Sequence, residues 1–207
     1  MNAETVEDWL GALASQAPTP GGGAAAAMNA AVAAALISMV CNLTVGKPRY
    51  AEHEQTMIAA RDRADGLRRE ALALAEADAT AFGAVTTAYK LPKGTEEERR
   101  ARTQGIQAAL AGAAEVPLRT AALAATVIEL AEEILPGANV NVISDVAVAA
   151  SSARAALDAA ALNVEVNLAA MADEAARDDL TGCLAKHLPA AGRAEEVVAM
   201  VRMRIKQ

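Results

Sequence analysis

Aromatic side chains are nearly absent: one Trp, one Phe and two Tyr in 207 residues. Surfaces that take nucleic acid stack bases on aromatics beside clustered cations. Here the net charge is −7 and the basic residues are scattered through the chain, so no nucleic-acid partner is expected. Cysteine and histidine are equally scarce. Cys41 and Cys183 are too few for a disulfide framework, and with only His53 and His187 beside them no spacing resembles a zinc site, so no metal is expected. No stretch alternates apolar and polar residues as a strand would. The early acids Glu4, Glu7 and Asp8 stand where an export signal would carry positive charge, and the expectation is a cytoplasmic protein.

What the chain has instead is alanine, which supplies much of its 54% hydrophobic content. Alanine buries little area per residue, so alanine-rich helices must lie backbone-close over long contacts. The run 24–40 is apolar all round, but it is mostly alanine, contains Asn29 and Ser38, and falls short of the roughly 20 strongly apolar residues of a membrane span. It reads as a central buried helix, with no membrane partner expected.

Start and stop signals divide the chain into helices. Asn2 can cap a first helix with an apolar stripe at Val6, Trp9, Leu10 and Leu13. The turn Pro18-Thr19-Pro20-Gly21-Gly22-Gly23 then opens the second helix, which Gly46 and Pro48 end. Residues 51–89 form a long charged helix, bent near Gly66. Thr95 with Glu98 makes a capping box for a helix to about residue 114, and Pro117 kinks or restarts the segment that runs to residue 135. Residues 139–171 form a second long, nearly all-apolar helix. Asp173 caps a short segment, and 190–205 is the last helix. The expected architecture is all-α: a single domain over 1–207, a bundle of about seven or eight helices with two long buried alanine-rich ones.

Polar residues inside apolar helices need a reason, because an unsatisfied buried group costs roughly 1–3 kcal/mol. Gly21, Gly22 and Gly23 leave N–H groups bare at a helix start, where an oxygen-rich group can bind; the plainer reading is a backbone turn that permits close packing. Asn139, Asn141, Ser144 and Asp145 cluster at the start of the second apolar helix, and Asp145 leading into Val146-Ala147-Val148 is expected to face a pocket or a cation. Asn163 and Asn167 form an i, i+4 pair on the same face, about 27 Å further along a straight helix, and equally suit hydrogen bonds between helices. Asn42, Thr44, Lys47, Arg49 and Tyr50 gather amide, hydroxyl, cationic and aromatic groups at the end of the second helix, suited to a flat heteroaromatic ligand with carboxylates, or to a solvated helix end. Asp78, four residues before Phe82, reads by position as one of many exposed charges.

In order along the chain, Pro20-Gly21-Gly22-Gly23, Ser38-Met39-Val40 with Leu43-Thr44-Val45-Gly46, Asp78 with Ala81-Phe82, Leu91-Pro92-Lys93, Val116-Pro117-Leu118, Ser144-Asp145 and Asn163-Val164 with Asn167-Leu168 resemble the formiminotransferase-cyclodeaminase family. The resemblance is to its cyclodeaminase domain and to stand-alone methenyltetrahydrofolate cyclohydrolases. Where that family commonly has serine after the three glycines, this chain has Ala24. The resemblance implies an all-helical homodimer that acts on a reduced folate, with no metal or redox cofactor beyond the tetrahydrofolate substrate. The expected activity is hydrolysis of 5,10-methenyltetrahydrofolate to 10-formyltetrahydrofolate; the alternatives are formiminotetrahydrofolate cyclodeamination with release of ammonia, and a non-catalytic helical scaffold. On this reading Asp145 or Asp78 stabilises the cationic carbon and moves protons, Lys47 and Arg49 lie nearer the glutamate tail, and the asparagines read the pterin edge. Since Gly23 and the 42–50 loop stand about 30 Å apart at the ends of one helix, a two-fold dimer is expected to bring one subunit's glycines beside the other's loop.

Overall fold

In the computed structural model, which describes residues 5–206, the central buried helix is α2 (Gly22–Asn42). It packs along α3 (Glu54–Tyr89) and α5 (Ile143–Ala169) and touches α4 (Glu96–Ile134). Ala24, Ala27, Ala30, Ala33, Ala34 and Ile37 are wholly enclosed. Small side chains let these long helices approach closely, and the bulk of the core comes from Ile128, Leu130, Ile134 and Leu157 on α4 and α5, with Met57 and Leu74 on α3. By length and composition α2 and the helical stretches holding α4 and α5 could each cross a membrane; here they bury their apolar faces against one another.

Around this centre stand α1 (Val6–Leu13), α6 (Glu174–Ala185) and α7 (Ala190–Ile205). The Asn2 cap lies outside the described residues; among them Thr5 caps α1 in a capping box with Asp8. Asp173 caps α6, accepting from the Ala176 N–H, as its position suggests. Arg204, near the end of α7, donates to the Leu135 carbonyl at 2.6 Å, so this cation closes the end of α4 as well as suiting its own helix.

The helix α3 starts at Glu54, later than residue 51, because Pro48–His53 forms a 3-10 turn first. It continues unbroken through Gly66. The α3–α4 hairpin turns at 90–95, where the Glu98 N–H donates to Thr95 Oγ1 and the Thr95 N–H to Glu98 Oε2. No new helix starts at Pro117: α4 is one helix that carries the proline inside it. Proline lacks the N–H that would bond the carbonyl four residues back, that of Ala113. Asn167 of α5 supplies a substitute, its Nδ2 donating to the Ala113 carbonyl at 3.4 Å.

Candidate active site

The glycine turn enters α2 through Gly21, which is extended and offers no side-chain cap. The bare helix start is covered from another helix. Asp78 of α3 accepts from the Ala24 N–H through Oδ2 at 3.1 Å, at the positive end of the α2 dipole. The two elements are close because residue 23 has no side chain: a Cβ there would lie 2.0 Å from Asp78 Oδ1 and 2.5 Å from Cγ. The backbone N–H of residue 24 does the binding, so an alanine suffices at that position. Burial pushes the Asp78 carboxyl above the usual carboxylate range, and the Ala24 hydrogen bond opposes this.

Asp78 faces a cavity of about 350 Å³. Phe82 and Val85 continue its own side of α3, at i+4 and i+7; Leu110 and Ala113 of α4 stand opposite, and Asn163 and Asn167 of α5 close a third side. Asn163 Nδ2 donates to the Ala159 carbonyl at 2.8 Å, and Asn167 Nδ2 to the carbonyls of Asn163 and Ala113. Asn167 thus uses both amide N–H groups and Asn163 one of its two, while both amide oxygens remain as acceptors that no donor among the described residues reaches. Gly22 lies against Asn163: a Cβ there would meet Nδ2 at 3.4 Å. The cavity thus joins a carboxylate and two amide oxygens to an apolar wall. That combination suits a flat, cationic molecule with N–H donors on its edge. A groove of about 560 Å³ between α5 and α7 is larger, but the Arg154–Glu195 ion pair already joins two of the side chains that line it.

The other polar cluster is at the far end of α2 and does something different. Asn139, nearly fully buried, donates through Nδ2 to the Leu43 carbonyl at 2.8 Å and through its backbone N–H to Thr44 Oγ1 at 3.2 Å. Tyr50 donates its hydroxyl to Asn139 Oδ1 and accepts from the Val140 N–H. These bonds tie the end of α2 to the start of α5. Asn42, Lys47, Arg49, Asn141 and Ser144 are exposed around this knot, with Arg49 stacked 5.7 Å from the Tyr50 ring centre.

Of the residues singled out from the sequence, Gly21, Gly22, Gly23, Asp78, Asn163 and Asn167 therefore meet within one subunit, and the other nine do not join them. Asp145 is half-buried in the first turn of α5, where a negative charge suits the helix dipole; it has no cationic partner among the described residues and does not line the Asp78 cavity. Its distance from Asn163, 18 residues along α5, is about 27 Å. Lys47 and Arg49 are separated from the glycine turn by the length of α2, about 30 Å. Within its own chain the glycine turn finds polar companions in Asp78, Asn163 and Asn167. The apolar wall of Val85, Leu110 and Val166 went unread in the sequence, although Asp78, Phe82 and Val85 at i, i+4 and i+7 signal one helix face.

Residues 5–185 match the family model described as formiminotransferase-cyclodeaminase. The chain is 48% identical, over 88% of its length and 90% of the relative's, to a methenyltetrahydrofolate cyclohydrolase of Methylorubrum extorquens. It is 35% identical to a formimidoyltransferase-cyclodeaminase of Rattus norvegicus over 78% of this chain, but spans only 30% of that relative. The crystal structure of a formiminotetrahydrofolate cyclodeaminase from Thermotoga maritima shares the fold with a TM-score of 0.89 and 28% identity, over 99% of this chain and 98% of that one.

Proposed function

Since the chain belongs to the formiminotransferase-cyclodeaminase family, we propose that it hydrolyses 5,10-methenyltetrahydrofolate to 10-formyltetrahydrofolate at the Asp78 cavity. The observation that carries this reading is a half-buried carboxylate, held on a helix start and aimed into a cavity that also presents the amide oxygens of Asn163 and Asn167. The substrate's bridging carbon between N5 and N10 is cationic, and a negative group in a partly dry site stabilises it far more than water would.

The steps follow from that placement. Ionised Asp78 takes a proton from a water as its oxygen adds to the bridging carbon, giving a neutral carbinol. Protonated Asp78 then hands this proton to N5 as the carbon–N5 bond breaks; the carbinol hydroxyl loses its own proton to solvent as the formyl C=O forms on N10. One proton is released overall, as the loss of the substrate's positive charge requires. One carboxyl group and solvent carry every proton, and the reaction so written calls for no cofactor beyond the folate itself. The raised carboxyl of Asp78 suits both roles, since a group nearer the working pH both accepts and gives up a proton readily. Asn163 and Asn167 offer their amide oxygens to the N–H edge of the pterin.

The second reading is cyclodeamination, in which N10 closes on a formimino carbon carried by N5 and ammonia leaves. It is favoured by the likeness to the Thermotoga maritima enzyme over nearly the whole of both chains. The cyclohydrolase reading leads because the relative so named is more similar and almost wholly covered. Assaying the loss of methenyltetrahydrofolate absorbance beside ammonia release from 5-formiminotetrahydrofolate separates the two: the reading expects rapid hydrolysis with little ammonia, and the reverse ratio overturns it.

A homodimer belongs to the same reading. Val32 of α2 and Val148, Leu162 and Val166 of α5 stand about half exposed or more on neighbouring helices, and Val166 also lines the cavity. A second copy covering that face would close the site's open side.

A further inference from the structure

The helix faces that carry Val85 and Leu110 run on past the cavity's own lining. On α3 the stripe Asp78, Phe82, Val85 continues to Tyr89, and on α4 the facing stripe Ala113, Leu110, Ile106 continues to Arg102. Tyr89 and Arg102 meet: the guanidinium stacks 5.7 Å from the ring centre, and Nη2 donates to the Tyr89 carbonyl at 3.2 Å. The rest of this guanidinium is unmet. Its Nε is buried without a hydrogen-bond partner, the one such side-chain atom among the described residues. A buried donor left without an acceptor costs roughly 1–3 kcal/mol, a cost that a small shift of this side chain toward an oxygen ligand would relieve.

The charges around Arg102 point the same way. On the α3–α4 hairpin Glu98 is used by the Thr95 cap and Glu96 by Arg100. Arg99 is used by the carbonyls of Lys93 and Gly94. Lys90 and Lys93 are exposed and have no acidic partner among the described residues. In a chain of net charge −7, this hairpin therefore keeps a planar guanidinium fork and two free ammonium groups against one exposed carboxylate without an ion-pair partner among the described residues, Glu97. An Arg fork is matched to a carboxylate by its geometry.

Asp78 and Tyr89 are 11 residues apart, about 16 Å along α3. Resting on the function proposed above, we propose that the folate lies along this stripe: its bridging carbon at Asp78, its aminobenzoyl ring on Phe82, Val85 and Leu110, and its glutamate carboxylates at Arg102, with Lys90 and Lys93 beside it. From the bridging carbon to the glutamate carboxylates is about 10 Å by bond lengths, and the Arg102 side chain spans the remainder. The tail site is thus on the α3–α4 hairpin and not at Lys47 and Arg49.

The test compares two substrates: 5,10-methenyltetrahydrofolate, and the 5,10-methenyl derivative of tetrahydropteroate, which is the same molecule without glutamate. Arg102→Gln is expected to raise KM for the first about tenfold, the loss of one charge-assisted contact, with kcat little changed and with KM for the second unaltered. The double variant Lys90→Gln/Lys93→Gln, at exposed positions whose loss does not threaten the fold, is expected to raise KM for the glutamate-bearing substrate alone by a smaller factor. Equal effects on the two substrates, or no effect of either variant on KM, overturn the tail site while leaving the hydrolase in place. A wild-type chain that turns over neither substrate refutes the hydrolase, and this inference with it.

Discussion

Asp78 occupies the space that a side chain at position 23 would need: a Cβ on Gly23 would fall 2.0 Å from its Oδ1. A glycine is thus the condition for a carboxylate to rest on the start of α2 and still face the cavity.

Gly23→Ala is therefore expected to swing the Asp78 side chain out of the site. The lost cap on the Ala24 N–H costs about 1 kcal/mol, a small fall in Tm. The misplaced acid–base group costs about 10²-fold or more in kcat. Paired thermal melts and turnover assays check this; a fall in stability with full activity would mean that Asp78 does no chemistry.

The raised Asp78 carboxyl sets a pH signature. As the proton acceptor it must be ionised, so the acid limb of kcat/KM is expected above the ordinary aspartate value of about 3.9. The sign for stability is opposite. A carboxyl raised by burial favours the folded state most when protonated, so its contribution is full below the unfolded value and is lost as pH rises through the folded one. Asp78→Asn carries no charge there, and its stability relative to wild type is expected to improve with rising pH over that window. Denaturant titrations at several pH values measure the trend.

The knot at the other end of α2 is structural. Asn139→Ala strands the Leu43 carbonyl and the Tyr50 hydroxyl and is expected to cost about 1–3 kcal/mol, with kcat per folded molecule unchanged. Chemical denaturation beside turnover tests the pair of outcomes, and a selective loss of kcat would return these residues to the site.

Asn167 and Pro117 are coupled through the Ala113 carbonyl. Replacing Pro117 with alanine restores the helix N–H for that carbonyl, so Asn167→Ala is expected to cost about 1 kcal/mol more in the wild-type chain than in the Pro117→Ala background. A double-mutant cycle by urea denaturation reads the difference; strict additivity would dismiss the coupling.

These relationships explain what was legible in the sequence. The glycine turn, the Thr95 capping box and the two alanine-rich helices rest on neighbours a few residues apart, and their places in the chain read directly. The continuity of α4 did not, because the donor that relieves Pro117 is Asn167, on another helix. Asp78 is likewise unreadable by position: what distinguishes it from the exposed acids of α3 is Gly23, 55 residues earlier. Asp145 misleads for the converse reason. The apolar run behind it suggests depth, but it stands in a first turn, where an acid is at home without a pocket.

The most direct test of the central claim is turnover of 5,10-methenyltetrahydrofolate, followed by its absorbance, in Asp78→Asn beside Asp145→Asn. The asparagine can still accept from the Ala24 N–H, so the fold is retained. With Asp78 as the acid–base group, Asp78→Asn loses 10²–10⁴-fold in kcat, an order-of-magnitude range of about the size general acid–base catalysis contributes, and Asp145→Asn keeps wild-type activity. Wild-type kcat in Asp78→Asn, or its loss in Asp145→Asn alone, would contradict it.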